Sequence, residues 1–134
     1  MKKINPLTYN SRTCYTEIRD SKHEPNFSIL QSLDSKIIHS YTEYYEKKEE
    51  LLSLNKVESY SEVEQKSLKS CYISDSEKTK KLKCSIKSIS HFCPYCNLEW
   101  TNEIDHYIPK KEYPEYSVLN INLIPICTSC NKKK

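Results

Sequence analysis

Four of the seven cysteines stand in two Cys-x-x-Cys pairs, which are separated by 30 residues. The pairs are Cys93 with Cys96 and Cys127 with Cys130. Two intervening residues allow both sulfurs of a pair to face one ion from a tight turn, and four thiolates suit tetrahedral zinc. We therefore expect one structural zinc ion, because four sulfurs close the coordination sphere. An iron–sulfur cluster, two disulfides and four free buried thiols are the alternatives that this spacing leaves open.

Three further side chains between or beside these pairs have types that could do chemistry. Asp105 and His106 are adjacent in a strand-like stretch, so their side chains are expected to diverge onto opposite faces. Asn131 directly follows the last cysteine, and a zinc ion there would fix its position. A carboxylate and an amide oxygen are hard ligands that suit Mg²⁺, and a neutral imidazole beside such an ion is suited to act as a general base. The residue types thus indicate a second metal site with a base next to it.

In order and spacing, these motifs resemble the zinc-containing branch of the HNH endonucleases. The resemblance covers roughly residues 91–134, a third of the chain. It rests on four pieces: Cys93-Pro-Tyr-Cys96, Asp105-His106-Tyr-Ile-Pro109-Lys110, Asn122-Leu-Ile-Pro-Ile-Cys127 and Cys127-Thr-Ser-Cys130-Asn131. Each piece is weak alone, and together they are specific. The resemblance implies a ββα-metal fold, in which two strands and a connecting loop precede a helix that carries the last metal ligand.

The resemblance also implies an activity, which is cleavage of nucleic-acid phosphodiester bonds with one divalent ion. His106 would be the general base that activates water, and Asp105 and Asn131 would bind Mg²⁺ or a similar ion. Asn122 would hold the segment that bears His106 in register and orient the imidazole. The ion would stabilise the charge that grows on the scissile phosphate and the departing oxygen. The four cysteines would bind zinc and hold the strands and the helix together.

Each of these side chains also has a purely structural interpretation. His106 could pack within a strand, Asn122 could cap a turn, and Asn131 could be an ordinary residue near the start of a helix. Lys110 and Lys111 follow the first strand and are candidates for contacts with nucleic-acid phosphates. Solvated surface is the equal alternative for both lysines.

Other residues near the motifs are expected to be structural. Glu103 lies one strand repeat before Asp105 and shares its face, and a solvated strand residue is favoured over an extra acidic group near the ion. Trp100 and Tyr107 are expected to pack within the small domain rather than to stack on bases.

The chain changes character near residue 90, where prolines, paired cysteines and alternating apolar residues replace helical periodicity. We predict an α+β chain, with a helical region over 1–90 followed by an HNH domain over 91–134. Ser61 and Glu64 form a capping-box pattern at the start of one helix. The predicted segments are an irregular arm over 1–26 with a short helix near Thr13–Arg19, a long helix over about 27–54, a second helix over about 61–73, a basic segment over 74–90 that is either a helix or a linker, and strands over Glu99–His106 and Val118–Ile126.

The composition excludes several classes of function. There is no glycine, so the chain has no P-loop and no dinucleotide-binding fingerprint. No stretch approaches 18 apolar residues and the start lacks an apolar signal segment, so we expect no membrane span and a cytoplasmic location. A net charge of +3 is compatible with nucleic acid without being diagnostic.

The sequence therefore predicts a metal-dependent HNH endonuclease with DNA, ahead of RNA, as the expected substrate. The alternative is a catalytically weakened, zinc-stapled module that binds nucleic acid or protein. Lysines within residues 78–87 could follow a DNA backbone. A further resemblance, to small HNH effectors of bacterial antiphage defence, implies an ATPase as a partner. Three residues follow Asn131 in the given sequence, which leaves about one turn for the last helix, so we expect the ββα unit to be truncated there.

Overall fold

The computed structural model describes residues 11–47, 49–50, 60–74 and 76–133. Within them the chain is α+β, as the sequence predicts. The helices and strands are α1 (Ser11–Asp20), α2 (Asn26–Ser32), α3 (Asp34–Glu46), α4 (Glu62–Ile73), α5 (Glu77–Lys87), β1 (Glu103–His106), β2 (Leu123–Ile126) and α6 (Thr128–Lys132). The two strands pair antiparallel, with Glu103 opposite Ile126 and His106 opposite Leu123.

The prediction of one helix over 27–54 is wrong, because the chain forms two helices, α2 and α3, that meet at Leu33. The amide of Leu33 bonds to the carbonyl of Leu30, three residues back, and this contact tightens the turn. The apolar period continues through the break, since Leu30, Leu33 and Ile37 are all buried. Periodicity could therefore not reveal it. Helix α3 ends at Glu46, and residues 51–54 lie outside the described residues.

Other predicted boundaries also shift. The supposed irregular arm over 1–26 contains α1, which extends beyond the short helix expected there, whereas residues 1–10 lie outside the described residues. Both strands are shorter than predicted at their amino-terminal ends. In the first, residues 99–102 lie outside the strand, and Trp100 among them forms an isolated antiparallel bridge with Phe92. The second loses 118–122 to a loop that contains a 3₁₀ turn, Asn120–Asn122.

Local hydrogen bonds explain where α4 and α5 begin. The predicted capping box is confirmed, because Ser61 Oγ accepts from the Glu64 amide at 3.1 Å and Glu64 Oε1 accepts from the Ser61 amide at 2.9 Å. Ser76 Oγ caps α5 by accepting from the Thr79 amide at 3.3 Å. The basic segment over 74–90 is therefore largely a helix rather than a linker.

One hydrophobic core joins the helices to the segment between the strands. Its members from α1 to α5 include Tyr15, Ile18, Leu30, Leu33, Ile37, Tyr41, Tyr44, Leu68, Cys71, Leu82 and Ile86, and its members beyond residue 90 include Ile108, Tyr116, Val118, Leu119 and Leu123. A smaller cluster contains Cys93, Ile126 and Cys127. The buried faces of the helices thus pack against the segment that connects β1 to β2. None of the described helices is long and apolar enough to cross a bilayer.

Candidate metal centre and active site

The two cysteine pairs converge, and all four sulfurs lie within 4.8 Å of one another. The sulfurs of Cys96 and Cys127 are 3.8 Å apart, whereas a disulfide is about 2.05 Å long. Tetrahedral zinc with Zn–S bonds of about 2.3 Å places its sulfurs about 3.8 Å apart. The cluster therefore fits a zinc ion and does not fit two disulfides.

The segment from Cys93 to Asn97 forms a tight turn that brings the sulfurs of the first cysteine pair together. Asn97 takes the left-handed conformation, with φ of 60°, and its amide bonds to the carbonyl of Cys93 at 2.7 Å. Asparagine tolerates this conformation better than most residues other than glycine, which the chain lacks. The turn directs the amide of Leu98 toward the sulfur of Cys96, at 3.5 Å. An amide donor of this kind stabilises a thiolate.

The second pair connects β2 to α6. Cys127 is the N-cap of α6, and its sulfur accepts from the Cys130 amide at 3.4 Å. Burial raises the pKa of the Cys93 thiol, but backbone hydrogen bonds with Cys127, Cys96 and Tyr95 outweigh it and lower this pKa to about 7. Burial and the neighbouring sulfurs raise the pKa of Cys130 to about 12, so ionisation is unequal among the four thiols and favours Cys93 and Cys96.

His106 ends β1 with its ring half-buried. Its Nε2 lies 2.9 Å from the carbonyl oxygen of Ser117. A carbonyl can only accept, so Nε2 carries the proton of the neutral ring and Nδ1 is left as the basic nitrogen. Burial lowers the pKa of His106 to about 4, against the opposing effect of the Ser117 carbonyl and with help from Lys110 and Lys83. The imidazole is therefore neutral at pH 7.

Asn122 is fully buried and uses both ends of its amide. Its Oδ1 accepts from the amide of Ile108 at 2.8 Å and from the hydroxyl of Tyr44 at 2.9 Å. Its Nδ2 donates to the carbonyls of Ile108 at 3.1 Å and Tyr116 at 3.4 Å. Ile108 lies two residues after His106, so Asn122 pins the segment that leaves β1.

Asp105 and Glu103 occupy alternate positions on β1 and share a face. The hydroxyl of Tyr95 donates to Oδ2 of Asp105 at 3.3 Å, and Nδ2 of Asn131 donates to Oε1 of Glu103 at 2.7 Å. The bond from Asn131 is the main cause that lowers the pKa of Glu103. Because the amide nitrogen of Asn131 donates to Glu103, Oδ1 is the atom of this side chain that could serve as a metal ligand.

Three expectations about the surrounding residues need correction. Glu103 is tied to Asn131 rather than simply solvated. Trp100 is 66 % exposed and Tyr107 is 48 % exposed, so neither packs inside the small domain. Trp100 instead stacks on the exposed ring of Phe92, with the two centroids 4.9 Å apart.

The two lysines proposed to contact phosphate differ in position. Lys110 is partly buried, and its Nζ lies 4.6 Å from the ring centroid of Tyr72. Tyr72 in turn packs edge to face against His106, with the centroids 4.5 Å apart. Lys111 is exposed. Of these two lysines, Lys110 is therefore the one connected to the predicted base, His106, and the connection runs through Tyr72.

Sequence reasoning missed several residues that reach this site. Tyr44 and Tyr72 come from the helical region, and Ser117 comes from the loop between the strands. Lys83, one of the lysines expected to follow a DNA backbone, also contacts Tyr72. Tyr44 is buried in α3, and Tyr72 is partly buried in α4. No local pattern signals that either side chain contacts a residue of the HNH-like segment.

Comparison with known proteins agrees with this geometry. Residues 93–134 match the family model described as HNH endonuclease. A stretch of 40 residues is 50 % identical to Protein ea31 of Escherichia phage lambda. The matched stretch is 29 % of this chain and 14 % of the phage protein, so the chain spans a small part of that relative. No solved structure matches the chain.

Proposed function

We propose, on the premise that residues 93–134 carry an HNH endonuclease domain, that the protein is a metal-dependent endonuclease that hydrolyses phosphodiester bonds of DNA. The observation that supports this most directly is the hydrogen bond between His106 Nε2 and the Ser117 carbonyl. It fixes the tautomer in which Nδ1 can accept a proton from water.

The chain's own residues have separate tasks in this reaction. His106 takes a proton from the water that attacks phosphorus, as the bond to the 3′ oxygen breaks. Ser117 fixes the imidazole by its carbonyl, and Asn122 fixes the segment that follows. Asp105 and Oδ1 of Asn131 would hold a divalent ion such as Mg²⁺, which would stabilise the charge on the phosphate and the leaving oxygen. Glu103 orients the Asn131 amide.

The cysteine cluster has a structural role in this proposal. Its four sulfurs would hold zinc and leave no open position for a substrate. Since Cys127 follows β2 and Cys130 lies in α6, these cysteines would, with zinc bound, hold the helix that carries Asn131 in place relative to the strands. Loss of zinc should therefore disturb the second metal site as well as the fold.

Plasmid cleavage tests the proposal. Full-length, zinc-loaded protein should nick supercoiled DNA when Mg²⁺ is added, and His106→Ala should lower the rate by about 10²- to 10⁴-fold. His39→Ala is the matched control, because His39 lies on α3 with an 81 % exposed side chain. The proposal fails if wild-type protein leaves plasmid intact, or if the two variants cleave at the same rate.

Parallel reactions address the finer assignments. An RNA substrate tested beside the plasmid tests the preference for DNA. Binding without Mg²⁺-dependent cleavage would favour the alternative of a zinc-stapled binding module. An ATPase partner, a role in antiphage defence and a cytoplasmic location stay predictions of the sequence.

A further inference from the structure

Two lysines from separate segments lie over the ring of Tyr72, which packs against His106, and a third lysine lies nearby. Lys83 of α5 and Lys110 after β1 lie 4.3 Å and 4.6 Å from the Tyr72 ring centroid, as measured from Nζ. Their ammonium groups are therefore at most about 9 Å apart. Lys69 of α4 lies close enough to affect the charge of Lys110. We call Lys69, Lys83 and Lys110 the lysine cluster.

Bringing these ammonium groups together has an electrostatic cost. Burial lowers the pKa of Lys110, and the positive charges of Lys83 and Lys69 lower it further. The charges of Lys110 and Lys83 also disfavour protonation of His106, whereas the charge of Asp105 favours it. Cation–π contacts with Tyr72 offset part of the cost, typically by about 0.5–1 kcal/mol each at exposed sites. An anion bound among the lysines would relieve the remaining repulsion.

The basic surface continues from the lysine cluster along α4. Lys66 and Lys69 are three residues apart and so lie on one side of the helix. Together with Lys22 and Ser70, they line an open groove of about 480 Å³. The Lys22 ammonium is held over α4 by a 3.0 Å hydrogen bond to the Ser70 carbonyl. Positive groups thus extend from the edge of His106 toward the end of α1.

We propose that the lysine cluster binds the phosphodiester backbone of nucleic acid next to the phosphate that faces His106, and that the groove beside Lys66 extends this contact to further phosphates. This inference rests on the proposed function and assigns substrate binding to helices outside the HNH-like segment. Each cluster ammonium on Tyr72 lies within about 9 Å of the His106 ring centre. This distance suits a phosphate that neighbours the one being cleaved, rather than a remote surface contact.

The proposal requires the lysine side chains to contribute charge at this particular place. The test variant is Lys69→Gln/Lys83→Gln/Lys110→Gln. The control is Arg12→Gln/Lys36→Gln/Lys47→Gln, which removes the same charge elsewhere: Arg12 is exposed on α1, Lys36 lies over Tyr60 and Lys47 pairs with Glu43. A third variant replaces the three cluster lysines with arginine, which keeps the charge.

Fluorescence anisotropy with a labelled DNA duplex, and with an RNA duplex of the same sequence, measures binding by full-length, zinc-loaded protein without Mg²⁺. We expect the cluster variant to bind at least about tenfold more weakly than wild type. The slope of the logarithm of the binding constant against the logarithm of the salt concentration should become shallower by about 2 to 3, since each lost phosphate contact removes about 0.9. The arginine variant should bind within about threefold of wild type. The two duplexes show which nucleic acid supplies the backbone.

Equal binding by the cluster variant and the charge-matched control would overturn the inference, as would failure of wild type to bind either duplex. Thermal melts of all variants show whether they fold. If the glutamine variant unfolds, a loss of affinity in the folded single variant Lys69→Gln supports the inference and unchanged affinity overturns it. If wild-type protein cleaves plasmid but the cluster variant binds as well as the control, the inference fails and the proposed function stands. Cluster-dependent binding without cleavage contradicts the proposed function alone.

Discussion

The hydroxyl of Tyr44 in α3 donates a 2.9 Å hydrogen bond to Oδ1 of Asn122, which is 78 residues further along the chain. Both side chains are buried. The same oxygen accepts from the amide of Ile108, two residues after His106. A helix of the amino-terminal region is thus connected to the predicted catalytic segment through one buried amide. This connection makes the helices part of the site's support.

Tyr44→Phe removes the hydroxyl donor and keeps the ring. We expect the free energy of unfolding to fall by about 1 kcal/mol, because a buried hydrogen bond is lost while the Ile108 amide still satisfies Asn122 Oδ1. Urea unfolding measures the change. Tyr107→Phe, at a ring that is 48 % exposed, should change stability by less than about 0.5 kcal/mol. Equal effects of the two substitutions would contradict this reading of the contact.

Asn122→Ala should be far more damaging. It removes the partner of both the amide and the carbonyl of Ile108 and also that of the Tyr44 hydroxyl. Leaving buried polar groups unpaired costs about 1–3 kcal/mol each, so we expect a loss of at least about 3 kcal/mol in urea unfolding. Asn102→Ala is the control: the exposed Asn102 side chain donates to Thr128 Oγ1, and the substitution should cost less than about 1 kcal/mol. A loss below that of the control would show that Asn122 does not pin the segment.

Zinc content and folding should depend on the cysteine cluster. Metal analysis should find about one zinc per chain, and Cys127→Ser should lose it together with part of the folded structure, because metal binding and folding are coupled in such sites. Cys84→Ser, at an exposed cysteine outside the cluster, should keep both. Retention of a full equivalent of zinc by Cys127→Ser would rule out the four-sulfur site.

Glu103 should influence the second metal through Asn131. Glu103→Ala frees the Asn131 amide to rotate, so we expect the Mg²⁺ concentration for half-maximal cleavage to rise about tenfold, as is typical when a residue that orients a ligand is removed. Glu99→Ala is the control. It removes a carboxylate that accepts from the hydroxyl of Ser129, which lies in α6 as Asn131 does, and it should have little effect on the Mg²⁺ requirement. Titration of Mg²⁺ in the plasmid assay separates the two, and matching titration curves would count against Glu103 as an orienting residue.

The features that the sequence predicted well are those that depend on residues close together in the chain. The spacing within Cys93–Cys96 and Cys127–Cys130 leads to the sulfur cluster, and Ser61 with Glu64 leads to the capping box. The break at Leu33 escaped prediction because the residue keeps a helical backbone and the apolar period runs through it unchanged. The ends of the strands were misjudged because alternation of apolar residues continues into turns.

The sequence by itself determined which atoms are available for chemistry: four thiols, an imidazole, a carboxylate and two amides, in the order of an HNH segment. Only the tertiary structure decided what surrounds them. The Ser117 carbonyl selects the tautomer of His106, Tyr44 supports Asn122, and Tyr72 brings lysines of the helical region to the site. These contacts arise when the buried faces of the helices pack on the segment between the strands. Periodicity shows that such a face is buried, but it does not show which side chain it meets.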